Sequence, residues 1–413
     1  MIEDRLRGAA LRELPARRIV AAIAGAAHRW TGTDFSPRVR SIAAIAERTG
    51  YSTPAVEYAL DQLFTPITCD ALCSTIESEI GSLAALDGFV ARAGRPDAFA
   101  CGVDRACIIS SRTTIGVGLI PAIYALCAKS DVTVKDREDH LIAAFFQTLH
   151  AEDEAFMQAA RAQTFSSTDD ALPDLAAFGC VVAFGTNATL AEIRAACDPN
   201  ARFVGFGARA SAGYLSVAAA RDARTRRSML EGAARDVVLY DSEGCLSLHV
   251  LFIESEGAAR EIVADLATAV RSAGAQFPVG ADDGLRASRV STVRNAAAFR
   301  AALGQGAVFA DDAGTFAIVC DPPHDEPPPF APRCIAVVPV REPSDAAAYL
   351  RRHHVDLEAF AISDGRPDIV TMALGAGAVR LTRFGELQRP PPGGNHGGRG
   401  RIVDFIRWIE REI

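Results

Sequence analysis

A cysteine that precedes a strand-like run is the first group in this sequence that could do chemistry. In the segment LYDSEGCLSLHVLFIE, Cys245 follows a Glu-Gly pair and stands before residues that alternate in polarity. On a strand, Cys245, Ser247 and His249 would share one face, because successive side chains point to opposite sides. The segment therefore predicts a nucleophilic thiolate at Cys245 with His249 as a catalytic neighbour. The other interpretation is a buried cysteine and a core histidine.

Two other segments carry residues that suit a dinucleotide. The strand DVTVK ends in Lys135, and the carboxyl ends of strands form the ligand edge of a doubly wound sheet. Gly185 and Thr186 follow a strand and open a helix, where backbone N–H groups can face a pyrophosphate. The other interpretations are an exposed lysine in a charged turn and an ordinary strand-to-helix turn. The nearby GVG is not the GxGxxG fingerprint, so the prediction depends on position.

The elements that must position these groups alternate along the chain. Apolar residues recur at helical spacing up to about Gly94, and Thr53-Pro54 is typical of a helix start. From Phe99 onward, the apolar runs AFACGV, ACIISS, DVTVK, GCVVAFG and RFVGFG alternate with helical stretches. Strand, helix and strand in this order predict an α/β protein with a doubly wound parallel sheet of the Rossmann type.

The second half of the chain alternates in the same way and predicts a second domain. A helical stretch runs to about Arg235, and strands and helices continue from the cysteine segment to about Leu381. The last residues, IVDFIRWIEREI, are apolar at helical spacing and are expected to pack back on the body. We place the N-terminal helices and the dinucleotide-binding domain at residues 1–215, the catalytic domain at 216–384 and the returning C-terminal segment at 385–413.

Composition argues against several classes of protein. The 413 residues are 49% hydrophobic and the formal net charge is -8, so nucleic acid is not expected as a partner. The ten cysteines form no CxxC pair and stand at no zinc-ligand spacing, so no metal is expected. The charged N-terminal stretch predicts neither a signal peptide nor a membrane span. We expect a soluble, cytoplasmic protein with free thiols.

Four segments in sequence order resemble the LuxC-type acyl-CoA reductases, a branch of the aldehyde dehydrogenase superfamily. They are GLIPAIYALCAKSDVTVKDRED, VVAFGTNATLAEIRAACDPNARFVGFGARASAG, YDSEGCLSLHVLFIE and RPPPGGNHGGRGRIVDFIRWIERE. The resemblance runs from about Phe99 to the C-terminus. It implies an aldehyde-dehydrogenase-like fold, in which a Rossmann-type cofactor domain accompanies an α/β catalytic domain that carries the cysteine.

The resemblance also implies roles for particular residues. Cys245 takes the place of the nucleophile, and Lys135 that of the ribose-binding lysine. Gly185 and Thr186 fall where the nicotinamide cofactor passes close to the backbone. Arg137 replaces a short residue, and its guanidinium could pair with the 2′-phosphate of NADPH. NADPH is the usual cofactor of the family, which agrees with an arginine at this position.

The sequence departs from the pattern of the superfamily in three places. One is the cysteine segment, where Ser247-Leu248 stands in place of an expected proline after the serine, together with Arg333 near an expected ribose-binding glutamate. The other two concern the general base and the oxyanion donor. Phe206 or Gly207 stands where aldehyde-oxidising relatives have a general-base glutamate, and we count Gly207 with the cofactor-binding residues. The loss of a water-activating carboxylate favours reduction, since hydrolysis of an acyl-enzyme would waste the thioester. The oxyanion-binding asparagine has no counterpart either. The expected donors are Thr113 and Thr114, or the backbone N–H of Cys245.

The activity that the resemblance implies is reduction of an acyl thioester to an aldehyde. Cys245 would accept the acyl group from acyl-CoA or an acyl-carrier thioester, and hydride from NADPH would reach the acyl carbon. An ordinary thiol is only a few per cent ionised at neutral pH, so we expect a lowered pKa, caused by a helix N-terminus or by His249. The family also suggests a homo-oligomer and an acyl-activating partner enzyme.

Two other functions stay open at this point. The missing asparagine and glutamate would also fit a non-catalytic subunit that keeps an aldehyde-dehydrogenase-like fold. A CoA-acylating aldehyde dehydrogenase, which runs from aldehyde to acyl-CoA on short substrates, would share the same nucleophile. A serine hydrolase is disfavoured, because the sequence contains no GxSxG.

Overall fold

The structure, a computed structural model, describes residues 9–112, 114–164, 174–255, 257, 259–280, 284–321 and 325–412. The chain divides into two compact units. The first unit consists of residues 1–48, 56–207 and 391–413, and the second of residues 49–55 and 208–390.

Helices follow one another from Ala9 to Ile80 and then alternate with strands. They are α1 (Ala9–Glu13), α2 (Ala16–Arg29), α3 (Ser36–Thr49), α4 (Thr53–Phe64), α5 (Cys69–Ile80), α6 (Leu119–Cys127), α7 (Leu141–Glu152), α8 (Phe156–Ala159), α9 (Asn187–Ala196), α10 (Val217–Arg221), α11 (Ala223–Val238), α12 (Ala259–Gln276), α13 (Leu285–Ala302), α14 (Pro343–Arg352) and α15 (Pro367–Gly375).

The strands belong to three sheets. They are β1 (Val90–Arg92), β2 (Arg95–Gly102), β3 (Arg105–Ile109), β4 (Asp131–Asp136), β5 (Ala160–Thr164), β6 (Cys180–Phe184), β7 (Arg202–Phe206), β8 (Ala210–Leu215), β9 (Leu248–Glu254), β10 (Ala307–Ala310), β11 (Ala317–Cys320), β12 (Cys334–Val340), β13 (Leu357–Ile362), β14 (Arg380–Thr382) and β15 (Ile406–Arg411).

A five-stranded parallel sheet forms the centre of the first unit. Its order is β5-β4-β3-β6-β7, which confirms the predicted doubly wound arrangement. All five residues of β6 are buried, as is usual for an inner parallel strand covered on both faces. The edge strand β5 was not predicted, because its sequence ARAQT contains no large apolar residue that would mark a buried strand. Among the N-terminal helices, Trp30 stacks on Phe64 at a ring-centroid distance of 4.8 Å.

The C-terminal residues form a strand, so the helical spacing in IVDFIRWIEREI was misleading. β15 pairs antiparallel with β2, and the register places Trp408 opposite Ala100. β1 completes this three-stranded sheet on the other side of β2, within the block that the sequence predicted to be helical up to Gly94. The backbone N–H and C=O groups of β2 offer hydrogen-bond partners to the last residues, which therefore form a strand. The apolar spacing of those residues does not reveal that such partners exist.

A seven-stranded sheet forms the second unit. Its order is β10-β11-β12-β9-β8-β13-β14, and all neighbours are parallel except β10 and β11. Tyr214, Phe252 and Phe360 belong to the buried cluster on this sheet. β8 pairs with β9 and β13, so the second unit begins at Ala208 rather than at 216 and continues to Pro390 rather than 384.

None of the helices in the described parts of the chain is both long enough and apolar enough to cross a bilayer.

Candidate active site

The carboxyl edge of the five-stranded sheet carries the residues predicted to bind a dinucleotide. Lys135 is the penultimate residue of β4 and is half-buried. Gly185 and Thr186 directly follow β6. Because β4, β3 and β6 are parallel neighbours, the residues at their carboxyl ends lie along the same edge.

A buried carboxylate organises the turn after β3. Glu138 is 2% exposed and accepts hydrogen bonds from the backbone nitrogen atoms of Gly118, at 3.0 Å, and Gly116. Gly116 has a φ of 79°, and a Cβ there would lie 2.4 Å from Cδ2 of Leu63. This position therefore requires glycine. Burial raises the pKa of Glu138 to about 8, even though these two hydrogen bonds favour its charged form.

The predicted oxyanion donors fall in this same turn. Thr114 is half-buried between β3 and α6, whereas Thr113 lies outside the described residues. Their role as donors therefore stays a prediction.

Three arginines gather beside the end of β4. Arg137 is exposed, and partial burial together with the positive charges of Arg112 and Arg48 lowers its pKa. Arg48 forms an ion pair with Asp139, and its Nη1 donates to the carbonyl oxygen of Arg112 at 3.2 Å. Guanidinium groups brought together in this way suit a phosphate. The sequence singled out only Arg137 of the three.

The turn after β6 opens α9 in the manner expected of an anion-binding helix. Oγ1 of Thr186 accepts a hydrogen bond from the backbone nitrogen of Thr189 at 3.2 Å, so Thr186 is the N-cap of α9. A Cβ on Gly207 would lie 2.4 Å from Oδ1 of Asn187, whereas one on Gly185 would meet Thr189 at an ordinary 3.5 Å. A Cβ at Gly207 would therefore require the Asn187 side chain to move, whereas Gly185 has room for one.

An aromatic stack occupies the point where the glutamate of oxidising relatives was found missing. Phe206 ends β7, and its ring centroid lies 4.1 Å from that of His396 and 4.9 Å from that of Phe184. The three rings are nearly parallel, with interplanar angles of 13° and 14° about Phe206. The sequence did not single out His396, because it lies in a Gly-rich stretch far from Phe206 along the chain.

Cys245 lies before its strand and not on it. β9 begins at Leu248, so the prediction that Cys245, Ser247 and His249 share one strand face is wrong. The residue is half-buried, and its carbonyl oxygen accepts a hydrogen bond from Oγ of Ser211 at 2.9 Å. The backbone of the predicted nucleophile is therefore tied to the neighbouring strand β8.

The thiol of Cys245 is neutral in this structure. Burial and, to a lesser degree, the negative charge of Glu358 raise its pKa, the positive charge of Arg209 opposes this, and the resulting pKa is about 12. Burial also lowers the pKa of His249 to about 4, so the imidazole is uncharged at neutral pH. The expectation of a lowered thiol pKa, with His249 as one source of charge, is wrong for the protein without bound substrate.

His249 is instead in contact with the backbone beside the cysteine. It is 5% exposed, forms a hydrogen bond with the backbone of Gly244 and lies 5.1 Å from the ring of Phe330. Its Nδ1 has no hydrogen-bond partner among the described residues. These contacts fit an anchor for the cysteine segment, and a direct catalytic role of His249 stays a prediction.

Three consecutive left-handed residues set the path of the chain into the cysteine. Tyr240, Asp241 and Ser242 have φ values of 55°, 48° and 58°, a conformation that costs roughly 1 kcal/mol or more for each non-glycine residue. The buried carboxylate of Asp241 accepts a hydrogen bond from Nε of Arg333 at 2.6 Å and pairs with Arg286 at 2.9 Å. This buried ion cluster holds the strained segment in place.

The loop that contains Gly385 and Gln388 contacts both α11 and the cysteine segment. Asp236 on α11 accepts a hydrogen bond from the backbone nitrogen of Gly385 at 2.6 Å. Gln388 in the same loop donates to Oγ of Ser247 at 2.7 Å. Burial raises the pKa of Asp236 to about 7, which outweighs the hydrogen bonds and the charge of Arg235 that favour the carboxylate.

The raised pKa of Asp236 predicts a pH-dependent stability. The unfolded chain ionises this group from about pH 4 upward, while the folded protein keeps it protonated to about pH 7. Its stabilising contribution is therefore lost as pH rises through this window. In urea denaturation, the free energy of unfolding of the wild type should fall between pH 5 and pH 8, relative to Asp236→Asn, by about 2–3 kcal/mol. The control Asp345→Asn, at a half-buried carboxylate that pairs with the exposed Arg341, should show no such divergence. Parallel profiles for wild type and Asp236→Asn would contradict the prediction.

Several charged residues near the cysteine were missed from the sequence. Arg209, Glu358 and Arg380 lie at or just before the amino ends of β8, β13 and β14. They are far apart along the chain and belong to no motif. Only the pairing of the strands brings them to one edge of the sheet.

Comparison with protein families gives one match over almost the whole chain. Residues 11–408 match the family described as Acyl-CoA reductase (LuxC). Among proteins with curated descriptions, none matches this chain.

Solved structures share the fold. An NAD-dependent benzaldehyde dehydrogenase from Corynebacterium glutamicum is similar with a TM-score of 0.70 and 13% identity, over 98% of this chain and 88% of that protein. Aldehyde dehydrogenase 21 from Physcomitrella patens, in complex with succinate, gives 0.73 and 10%, over 99% and 89%. A proline utilization A variant from Bradyrhizobium japonicum gives 0.74 and 15%, over 99% of this chain but only 44% of that protein. The predicted aldehyde-dehydrogenase-like fold is therefore confirmed.

Proposed function

Because the chain belongs to the acyl-CoA reductase (LuxC) family, we propose that it reduces an acyl thioester to an aldehyde with NADPH, by way of an acyl group held on Cys245. Membership of this family implies an oxidoreductase that acts on acyl-CoA. The observation that carries the finer proposal is the placement of Cys245. It is a half-buried thiol at the amino end of a parallel strand, with its backbone held by Ser211 and with a guanidinium and a carboxylate beside it.

The first half of the proposed reaction exchanges one thioester for another. The sulfur of Cys245 attacks the carbonyl carbon of the substrate thioester. The bond from that carbon to the substrate's own sulfur then breaks, and the proton of the Cys245 thiol ends on the departing sulfur. Little free energy changes, because the bond broken and the bond formed are of the same kind. The hydrogen bond from Ser211 to the cysteine carbonyl and the ion cluster at Asp241 keep the nucleophile in position.

The residues of the first unit fit a nicotinamide dinucleotide phosphate. The amino end of α9, with Thr186 as its cap, suits the pyrophosphate, and Lys135 suits a ribose or a phosphate. When bound, the cofactor supplies hydride to the acyl carbon. The thiohemiacetal on Cys245 then collapses, which releases the aldehyde and returns the sulfur.

The aromatic stack supports reduction over hydrolysis. The rings of Phe206, Phe184 and His396 pack together. The family resemblance implies that Phe206 or Gly207 stands in place of the water-activating glutamate of oxidising relatives. A phenyl ring neither accepts a proton nor orients water, so an acyl group on Cys245 would persist until hydride arrives.

The arginine cluster leads us to propose NADPH rather than NADH. Arg137, Arg112 and Arg48 together offer the charge that a 2′-phosphate requires. Arg137→Ser should lower kcat/KM for NADPH by about 10- to 100-fold, the range expected for a lost charge-assisted hydrogen bond, and change kcat/KM for NADH little. Steady-state kinetics with both cofactors measure this. Arg17→Ser, at an exposed position of α2, is the matched control, and an equal loss with both cofactors would contradict the assignment.

One assay tests the whole proposal. Purified protein is given a panel of acyl-CoA and acyl-carrier thioesters of different chain length, with NADPH or NADH, while cofactor oxidation and trapped aldehyde are measured. We expect thioester-dependent NADPH oxidation with an equal yield of aldehyde. No turnover with any thioester would favour a non-catalytic subunit. The reverse assay supplies short aldehydes, CoA and NADP⁺ or NAD⁺, and turnover faster there than with thioesters would favour a CoA-acylating dehydrogenase.

We also propose a homo-oligomer and an acyl-activating partner enzyme, as the family resemblance suggests. β15 is the outer strand of its sheet among the described residues, and Trp408 on it is 40% exposed. An outer strand with an exposed aromatic side chain supports association with a second chain.

A further inference from the structure

Four neighbouring parallel strands of the second unit bring charged residues to the same edge as the cysteine. The order β9-β8-β13-β14 is parallel throughout, so the amino ends of these strands lie together. Arg209 directly precedes β8, Glu358 is the second residue of β13, and Arg380 begins β14. Cys245 precedes β9. One sheet edge thus holds a thiol, a carboxylate and two guanidinium groups.

Ser211 fixes the distance between the cysteine and the carboxylate-bearing strand. Its buried Oγ donates to the carbonyl oxygen of Cys245 at 2.9 Å and accepts from the backbone nitrogen of Ala359 at 3.2 Å. The peptide that joins Glu358 to Ala359 is therefore two hydrogen bonds away from the cysteine backbone. Arg209 precedes Ser211 by two residues, so both lie at the amino end of β8.

The two guanidinium groups at this edge differ in what they bind. Arg380 donates to the carbonyl oxygen atoms of Glu386, at 3.1 Å, and Leu387, so it holds a loop. Arg209 uses Nη1 for the carbonyl oxygen of Leu357, at 3.4 Å, and for Oε2 of Glu358, at 3.3 Å. Within the described residues, its Nε and Nη2 have no hydrogen-bond partner. Arg209 therefore retains donors, and its side chain is 33% exposed whereas that of Glu358 is 7% exposed.

We propose that Arg209 is a catalytic residue, whose guanidinium stabilises negative charge on the sulfur of Cys245 and then on the acyl oxygen, while Glu358 positions it. This inference rests on the proposed function for the acyl step. When the Cys245 sulfur bonds to the carbonyl carbon, the carbonyl oxygen carries a negative charge until the bond to the departing sulfur breaks, and an N–H of Arg209 donates to it. The thiol proton ends on the departing sulfur, and Arg209 stays protonated throughout. The missing asparagine of the superfamily is thereby replaced by an arginine from another strand.

The two partners of this ion pair act on the thiol in opposite directions. The positive charge of Arg209 lowers the pKa of Cys245, whereas the negative charge of Glu358 raises it. A pair that merely stabilised the fold would behave differently, because loss of either partner breaks the same contact. Removal of each partner in turn therefore separates the two roles.

The first measurement is alkylation of Cys245 by iodoacetamide across a pH series, followed by mass spectrometry of the labelled peptides, with the exposed Cys69 as internal reference. Arg209→Gln should slow labelling of Cys245 by about tenfold, and Glu358→Gln should accelerate it by about tenfold. The surface pair provides matched controls, Arg341→Gln and Asp345→Asn, which should leave the rate unchanged. If both substitutions changed the alkylation rate of Cys245 in the same direction, or if neither changed it, the proposal would be overturned.

The second measurement is single-turnover transfer of a labelled acyl group from acyl-CoA to the protein. Arg209→Gln should reduce the rate by about 10²- to 10³-fold, and Arg209→Lys should recover part of it, since lysine keeps the charge without the planar fork. A rate equal to that of the wild type would overturn the proposal. If the wild type itself accepts no acyl group, the proposed function fails, and the alkylation series still decides whether Arg209 acts on Cys245.

Discussion

Cys245→Ser protein is expected to form no acyl-enzyme and to lose aldehyde formation by roughly 10⁴-fold or more, as is typical when a nucleophile is removed. The exchange keeps the size of the side chain and the hydrogen bond that the backbone carbonyl accepts from Ser211. It replaces sulfur with an oxygen that is a far weaker nucleophile. An ester formed by serine would also be more stable than the thioester that it consumes, so its carbonyl carbon would accept hydride less readily. Loss of activity would therefore reflect chemistry and not folding.

The measurement is retention of a labelled acyl group on the denatured protein, together with trapped aldehyde. Cys101 is also half-buried and lies in the first unit, so Cys101→Ser is the matched control and should retain full labelling. Acyl label on Cys245→Ser protein at the level of the wild type would exclude this cysteine as the acyl carrier. A loss of label in Cys101→Ser would redirect the assignment to that thiol.

Asp241→Asn is expected to destabilise the second unit by about 3–5 kcal/mol, the range observed when one partner of a buried ion cluster is removed. Asp241 is the carboxylate that the buried guanidinium groups of Arg333 and Arg286 share, at 2.6 and 2.9 Å. Asparagine has the same shape and tolerates the left-handed conformation at this position, whose φ is 48°. The substitution therefore removes the charge and leaves the backbone preference unchanged.

Urea denaturation measures this loss as a shift of the midpoint at constant slope. Asp265→Asn is the matched control, because Asp265 is 52% exposed and pairs with Arg226 at 3.4 Å. The control should change the free energy of unfolding by less than about 1 kcal/mol, as exposed ion pairs do. A similarly small change in Asp241→Asn would show that Asp241 does not hold the left-handed segment before the cysteine.

The two halves of the candidate site differ in how far the sequence predicted them. Lys135 and Gly185 were singled out because the end of a predicted parallel strand is a ligand edge in any doubly wound sheet, which makes position alone informative. The structure places both at that edge, and their contact with a cofactor stays a prediction. Cys245 was found by type and resemblance, but its strand face was predicted wrongly. β9 starts only at Leu248, because three left-handed residues and a turn come first. Apolar alternation does not show where such a turn ends.

The sequence by itself determined four strands of the doubly wound sheet, β3, β4, β6 and β7, and their order along the chain, since apolar periodicity is a local property that neighbouring residues set. The tertiary structure decided the rest. It gave the last residues the conformation of a strand, because β2 offers backbone partners. It also placed Arg209 and Glu358 beside Cys245, because strand pairing joins residues that are distant in sequence. The charge of a thiol depends on burial and on such neighbours, so its pKa was beyond the reach of any local pattern.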